Sequence, residues 1–221
     1  MPRTSPRPQT SARQTAPASE VGRKGLRTKM RILAETKRLL LEKGYDATSI
    51  SDITEAAGIR RASFYTYFTS KQDVLLAIGR DAEEAGMVAA EGLRRMNETA
   101  TIDDVAQWVE EYLRFWDEHG SFVNAAVQAA YVHPELRQWS VAAEMTGAKI
   151  LGQALVKLRG GKRLPGIDPM VQGLAIQSMI ERFWYHWRVS GAPVKDSAIN
   201  RSIAHIIWAS AHHEPEIHTA D

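Results

Sequence analysis

A chain of 221 residues without a single cysteine excludes a disulfide framework and a thiolate zinc site, and it suits a reducing compartment. No uninterrupted apolar run approaches the roughly 20 residues that span a bilayer, and the arginine-bearing N-terminus lacks the apolar stretch of a secretory signal. The formal charge of +2 conceals an uneven spread: residues 1–23 carry +3, residues 24–71 carry +5 and the remainder carries −6. A basic N-terminal third is the electrostatic footprint of phosphate binding, and a cytoplasmic location is expected, with no membrane partner.

Residues 1–24 are rich in Pro, Ser, Thr and Arg and are too poor in bulky apolar groups to offset their ordering entropy, so a disordered basic arm is expected there. A helix is predicted from Leu26 to Lys43, with Ile32, Thr36, Leu39 and Leu40 on one face and Gly44 as its terminator. Ser49 and Asp52 form a capping-box pattern that starts a helix near Ile50. Ile50, Ile53 and Ala57 make its apolar stripe, and Gly58 stands where a left-handed cap turns the chain. A second helix is predicted over about Arg60 to Phe68. At 100° per residue Phe64 and Phe68 share its inner face behind Ile59. Ala62, Ser63 and Thr66 point outward with Tyr65 and Tyr67 on the flanks. Two short helices about a tight turn, the second with a slim hydroxyl-bearing outer face, form a helix-turn-helix. Arg60 and Arg61 at the start of the second helix oppose its macrodipole, a repulsion that a DNA phosphate would offset; two solvated surface arginines are the alternative reading.

These residues carry a resemblance. The run S-I-S-D-I-T-E-A-A-G-I from Ser49 to Ile59, followed by F-Y-T-Y-F-T-S-K from Phe64 to Lys71, resembles the DNA-binding domain of the tetracycline-repressor (TetR) family over residues 28–78. The resemblance implies that Ser63, Tyr65, Thr66, Tyr67 and Lys71 contact operator bases or phosphates. Where many members place serine or threonine as N-cap, this chain has Arg60. With Arg61 and Ala62, and with Thr48 near the DNA backbone, these residues make the expected DNA-binding set. Residues 25–72 are assigned to this domain and residues 73–221 to a ligand-binding and dimerisation domain.

Further along, Ser70 and Asp73 form a second capping box. It opens a helix through Val74, Leu75, Ile78, Ala82, Met87, Ala90 and Leu93 to about Met96, which would couple the reader to the body. Thr101 and Asp104 form a third. Val105, Trp108, Val109, Tyr112, Phe115, Trp116 and His119 then follow on a wide aromatic face that is expected to stop at Gly120. A short helix is predicted from Phe122 to Tyr131. Pro134 opens another that runs to Leu158 before Gly160 and Gly161. Asp168 and Pro169 start a long helix that ends around Gly191, and a last helix covers Asp196 to His212. No strand alternation is visible, so an all-α fold of about nine helices is predicted.

The C-terminal half resembles the branch of the same family typified by the ethionamide-resistance repressor. The fragments are Q-A-A at Gln128, E-L-R-Q-W at Glu135–Trp139, M-I-E-R at Met179–Arg182 and H-I-I-W at His205–Trp208. The resemblance implies an apolar tunnel for a lipophilic effector lined at Trp139, Ile150, Gln177, Ile180, Tyr185 and Trp208. Gln177 and Ile180 stand where that branch has asparagines. From the residues themselves, Trp108, Tyr112, Phe115, Trp116 and Trp184 read two ways, as filled core or as aromatic pocket walls. The family further implies a homodimer through the last two helices, matching a palindromic operator in double-stranded DNA. A helical ligand-binding protein with only non-specific nucleic-acid affinity is the alternative.

Catalytic patterns are missing: there is no G-x-S-x-G, G-x-x-x-x-G-K or G-x-G-x-x-G. His213, Glu214 and His218 have a superficial likeness to a zinc-protease motif. Their histidines stand five apart, however, and Pro215 interrupts the helix such a motif needs. A non-enzymatic regulator without metal or cofactor is the expectation.

Overall fold

The computed structural model describes residues 18–212, with side chains from Gly22 onward. Eight α-helices follow one another, and no strand occurs among the described residues: α1 (Ala18–Ala47), α2 (Ile50–Ala56), α3 (Arg61–Phe64), α4 (Lys71–Arg94), α5 (Ile102–Val132), α6 (Pro134–Leu158), α7 (Pro169–Trp184) and α8 (Asp196–His212). A π-helical turn, Tyr185–Val189, prolongs α7. None of these helices is long and apolar enough to cross a membrane. Residues 18–24 of the arm expected over residues 1–24 are helical, as the start of α1. Its remainder, and the tail with His213 and His218, lie outside the described residues.

Local chemistry sets most of the boundaries. Ser49 Oγ accepts from the Asp52 amide at 3.1 Å, while the Asp52 carboxylate accepts from the Ser49 amide at 2.7 Å. The Ser49 hydrogen bonds, and then the Lys43 ammonium 2.9 Å away, hold the Asp52 carboxyl well below the usual range. Thr101 and Asp104 repeat this box at the start of α5. Ser70 Oγ caps α4, and Asp168 caps α7 ahead of Pro169. Gly44 leaves the helical region at φ +80°, and Gly58 turns α2 into α3 at φ +58°; both conformations suit glycine.

Two predictions fail in informative ways. Gly120 does not end a helix: α5 runs through it unbroken, so eight helices replace nine. A side chain there would collide with the Trp184 ring, which makes this glycine a packing residue in a helix long enough to tolerate it. The reader, α3, closes its regular helix at Phe64 rather than Phe68. It continues as tight i to i+3 turns, with the Tyr67 amide donating to the Phe64 carbonyl at 2.9 Å. A run of aromatic and β-branched residues has weak helix propensity, which fits this tightening.

Packing divides the molecule into two cores. One joins Ile32, Leu40, Ile53, Phe64 and Phe68 of the headpiece to Val74, Leu75 and Ile78 of α4, and to Phe122, Ala126 and Leu136 of α5 and α6. The small headpiece thus leans on the body, as its meagre size requires. The other core gathers the C-terminal half of α4, the first half of α5, and α6–α8 around Trp108, Trp116, Leu151, Ile180 and Ile207. Within it α6 and α7 touch backbone to backbone: a Cβ on Gly152 would strike the Pro169 carbonyl, and one on Gly173 the Ala148 carbonyl. Arg159 ties α6 to the end of α8, donating to the Ala211 and Ser210 carbonyls at 2.9 and 2.8 Å. Such a cation satisfies orphan C-terminal carbonyls.

Candidate nucleic-acid interface and body cavity

The helix-turn-helix presents its outer face much as the residue pattern predicts. Phe64 and Phe68 are buried, with ring centroids 6.0 Å apart, and they fix the reader in the core it shares with α1, α2 and α4. Arg60, Arg61, Ala62 and Thr66 are exposed, Ser63 is half-buried, and Tyr65 is 48% exposed. Arg61 is held in place, donating to Ser51 Oγ at 3.3 Å and to the Tyr65 hydroxyl at 3.2 Å. That arrangement links α2 to the reader and presents a guanidinium and a phenol side by side. Arg60 occupies the N-cap position and makes no side-chain cap, so its charge is not engaged by the helix it precedes.

Three expected contacts sit differently. Thr48 is only 1% exposed. Its hydroxyl donates to the Gly44 carbonyl at 2.7 Å, so its side chain fastens the α1–α2 turn and does not face DNA. Tyr67 is half-buried, with its hydroxyl beside Gly25 of α1. Lys71 donates to the Tyr45 carbonyl at 2.6 Å and lies 4.1 Å from the Tyr45 ring centre. Burial pushes its ammonium below the usual lysine range. Lys71 therefore clamps the start of α4 to the end of α1, and residue type with spacing alone gives no signal of that clamp.

In the body, a cavity of about 90 Å³ lies where the two cores meet. Gly79, Ala82, Glu83, Gly86 and Met87 of α4 form one wall; Tyr112, Phe115, Trp116, Val123, Ala126 and Val127 of α5 form another. Trp139, Ser140, Ala143, Glu144 and Gly147 of α6, with Gln177 and Glu181 of α7, complete it. Of the eleven expected ligand residues, Tyr112, Phe115, Trp116, Trp139 and Gln177 line this space. The other six do not, each for an observable reason. Trp108 is core, its indole donating to the Ala89 carbonyl at 2.8 Å. Trp184 is buried and donates to Asp117 at 2.9 Å. Ile150 and Ile180 are packed into the same core. Tyr185 belongs to the π-turn under the Arg182 guanidinium, and Trp208 stacks on His212 at 3.8 Å.

Residue pattern alone misses the cavity's glycines and carboxylates. Gly79 leaves room for the Trp139 indole, and Gly147 for the Gln177 amide. Glu181 is the acidic residue of the M-I-E-R fragment, and its inward position follows from the register of α7 on α6. Burial pushes its carboxyl up, the Glu144 charge adds to this, and Arg182 opposes it. Nε1 of Trp116, Nε1 of Trp139 and Oε1 of Gln177 are buried without a hydrogen-bond partner. Unpaired buried polar atoms are uncommon in native folds.

The fold and the exposed reader define a helix-turn-helix protein. Residues 32–78 match the family model described as bacterial regulatory proteins, tetR family. It is 30% identical over 113 residues to the HTH-type transcriptional regulator EthR of Mycolicibacterium smegmatis, covering 49% of this chain and 51% of that one. Among solved structures it superposes on the TetR-family regulator PfmR of Thermus thermophilus with a TM-score of 0.64 at 26% identity, covering 80% of this chain and 97% of that one. It superposes likewise on FadR of Bacillus subtilis, solved in complex with stearoyl-CoA, with a TM-score of 0.66 at 19% identity, covering 82% and 98%. The chain spans 26–51% of the length of the curated relatives it matches.

Proposed function

We propose that this protein is a repressor that binds an operator in double-stranded DNA as a homodimer and is released when a small molecule occupies the body cavity. The observation that carries this reading is α4. One unbroken helix begins beside the reader at Ser70 and forms a wall of the cavity from Gly79 to Met87. The cavity's about 90 Å³ is smaller than the roughly 300 Å³ that a drug-sized ligand fills. A ligand therefore enters only if α4 moves away from α5 and α6 or if Trp139 swings aside. Moving α4 carries Lys71, Tyr45 and the reader with it. A coupling of about 1–3 kcal/mol weakens operator binding about 5–150-fold.

Arg60, Arg61, Ala62, Ser63, Tyr65 and Thr66 form the proposed DNA-contacting face, with Arg60 and Arg61 on phosphates and the slim hydroxyl-bearing residues toward base edges. Exposed Val171 on α7 and Ile206 on α8, with half-buried Phe183, Trp187 and Trp208, supply an apolar surface for pairing with a second subunit through the last two helices. Two readers related by a two-fold axis would meet half-sites about 34–36 Å apart, or a multiple of that.

The test is selection of duplexes from a random library with the full chain, followed by competition against scrambled duplex at fixed salt. A recovered palindrome that outcompetes the scrambled sequence by at least about a thousandfold supports the reading. Equal affinity for both leaves only a non-specific polyanion binder.

A further inference from the structure

The cavity wall is chemically one-sided. Glu83, Glu144 and Glu181 line it, and no Lys, Arg or His does. Among the ion pairs of the described residues, none involves these three carboxylates. Arg182, the neighbour of Glu181, instead places its guanidinium 5.0 Å from the Tyr185 ring centre. A carboxylate drawn into an aromatic-walled space without a basic partner is costly in the empty protein. An anionic ligand would add like charge to that cost.

Two further observations point to a ligand. Trp116 is only 3% exposed, and its indole N–H, near the Tyr112 hydroxyl, completes no hydrogen bond. Gln177 Oε1 is buried on the α7 wall with no donor. Gln177 Oε1 thus lacks a donor and the Trp116 N–H lacks an acceptor. The unpaired carboxylates ask that the donor carry positive charge, set among the rings of Tyr112, Phe115, Trp116 and Trp139. Ring faces attract cations most strongly when water is excluded.

We propose that the cavity binds a protonated organic amine with an apolar body, its ammonium group placed between Glu144 and Glu181 and donating to Gln177 Oε1. An oxygen acceptor on the same molecule would answer the Trp116 N–H. The inference rests on the ligand-responsive reading above and names the chemical class of that ligand. Electrostatics adds support. The groups facing Glu181 are Glu83 from α4, Tyr112 from α5 and Glu144 from α6, with Arg182 beside it on α7. Burial and Glu144 favour its protonated form in the empty protein. A bound ammonium draws that proton off, so binding strengthens as pH rises toward neutrality.

Three probes of equal chain length separate the possibilities: decylammonium, decanoate and decanol, each below its micelle concentration and titrated calorimetrically into the full chain. Decylammonium should bind about tenfold tighter than either of the others. Glu181→Gln and Glu144→Gln should each lower its affinity about tenfold while leaving decanol unchanged. Equal or tighter binding of decanoate or decanol overturns the proposal. So does failure of all three to bind, or indifference to both substitutions. Each probe is then added to the complex with the selected duplex. Release by decanol or decanoate keeps the regulatory reading and discards the amine. Tight decylammonium binding without DNA release does the reverse.

Discussion

The headpiece and the body cavity draw on the same materials, aromatic rings beside polar groups, and use them in opposite ways. In the headpiece the rings of Phe64 and Phe68 are packed away, and polar groups of the outer face and its edge are tied: Arg61 to Ser51 and Tyr65, Lys71 to Tyr45. In the cavity the polar groups are buried and untied, on Trp116, Trp139 and Gln177. A surface of satisfied, pre-placed groups suits a rigid partner that supplies its own regular array of charges. A space holding unsatisfied ones suits a small guest that completes it. On the proposed function, DNA recognition and effector recognition would differ in their states of readiness.

The sharpest way to strain that contrast is to damage the body while leaving the reader's surface intact. Gly173→Ala pushes a methyl into the Ala148 carbonyl, where the backbone has little freedom to yield. A loss of about 3 kcal/mol is expected, seen calorimetrically as a melting point lower by about 6–12 °C. Separate melting of headpiece and body in that variant would show that their cores are less dependent on each other than their shared residues imply. Next in size, Arg61→Ala and Tyr65→Ala should each weaken binding to the selected duplex about tenfold or more by fluorescence anisotropy. Both should leave the melting point within about 2 °C. An unfolded variant would place that side chain in the headpiece's core instead of on its surface.

Ser49→Ala removes half of the α2 capping box and should cost about 1 kcal/mol, or about 2–4 °C. An unchanged melting point would mean the Asp52–Lys43 pair holds α2 by itself. The smallest effect has the opposite sign. Glu181 has a raised folded pKa, so its contribution favours the folded state at acid pH and is lost as pH rises through that folded value. Glu181→Gln should therefore melt higher than the parent at pH 7, by no more than about 4 °C, and the difference should vanish near pH 3. An equal advantage at both values would remove the buried charge from the account.

The headpiece was the more legible region because its rules are local. Caps at Ser49, Ser70 and Thr101, and the 100° spacing of Phe64 and Phe68, depend on residues a few positions apart. Thr48 and Lys71 escaped because their partners, on Gly44 and Tyr45, are backbone carbonyls, which residue types do not advertise. In the body, aromatic density alone left filled core and pocket wall undecided. The difference between Trp116 and Trp184 lies in what each indole can reach: Trp184 donates to Asp117, while Trp116 completes no hydrogen bond. Such pairings are set by the register between helices far apart in the chain. Gly120 misled for the same reason, since its occupant, the Trp184 ring, arrives from α7.

The clamp between Lys71 and Tyr45 shapes how a signal would travel. A hinge at that junction would let the two recognition surfaces flop, and the message would fade within one turn of helix. Riveted as they are, a tilt of α4 by a few degrees swings the whole headpiece as a solid piece. The geometry of the pair would then change without any secondary structure melting. Amide protons of α2 and α3 should exchange equally slowly with and without effector, even as the distance between headpieces changes.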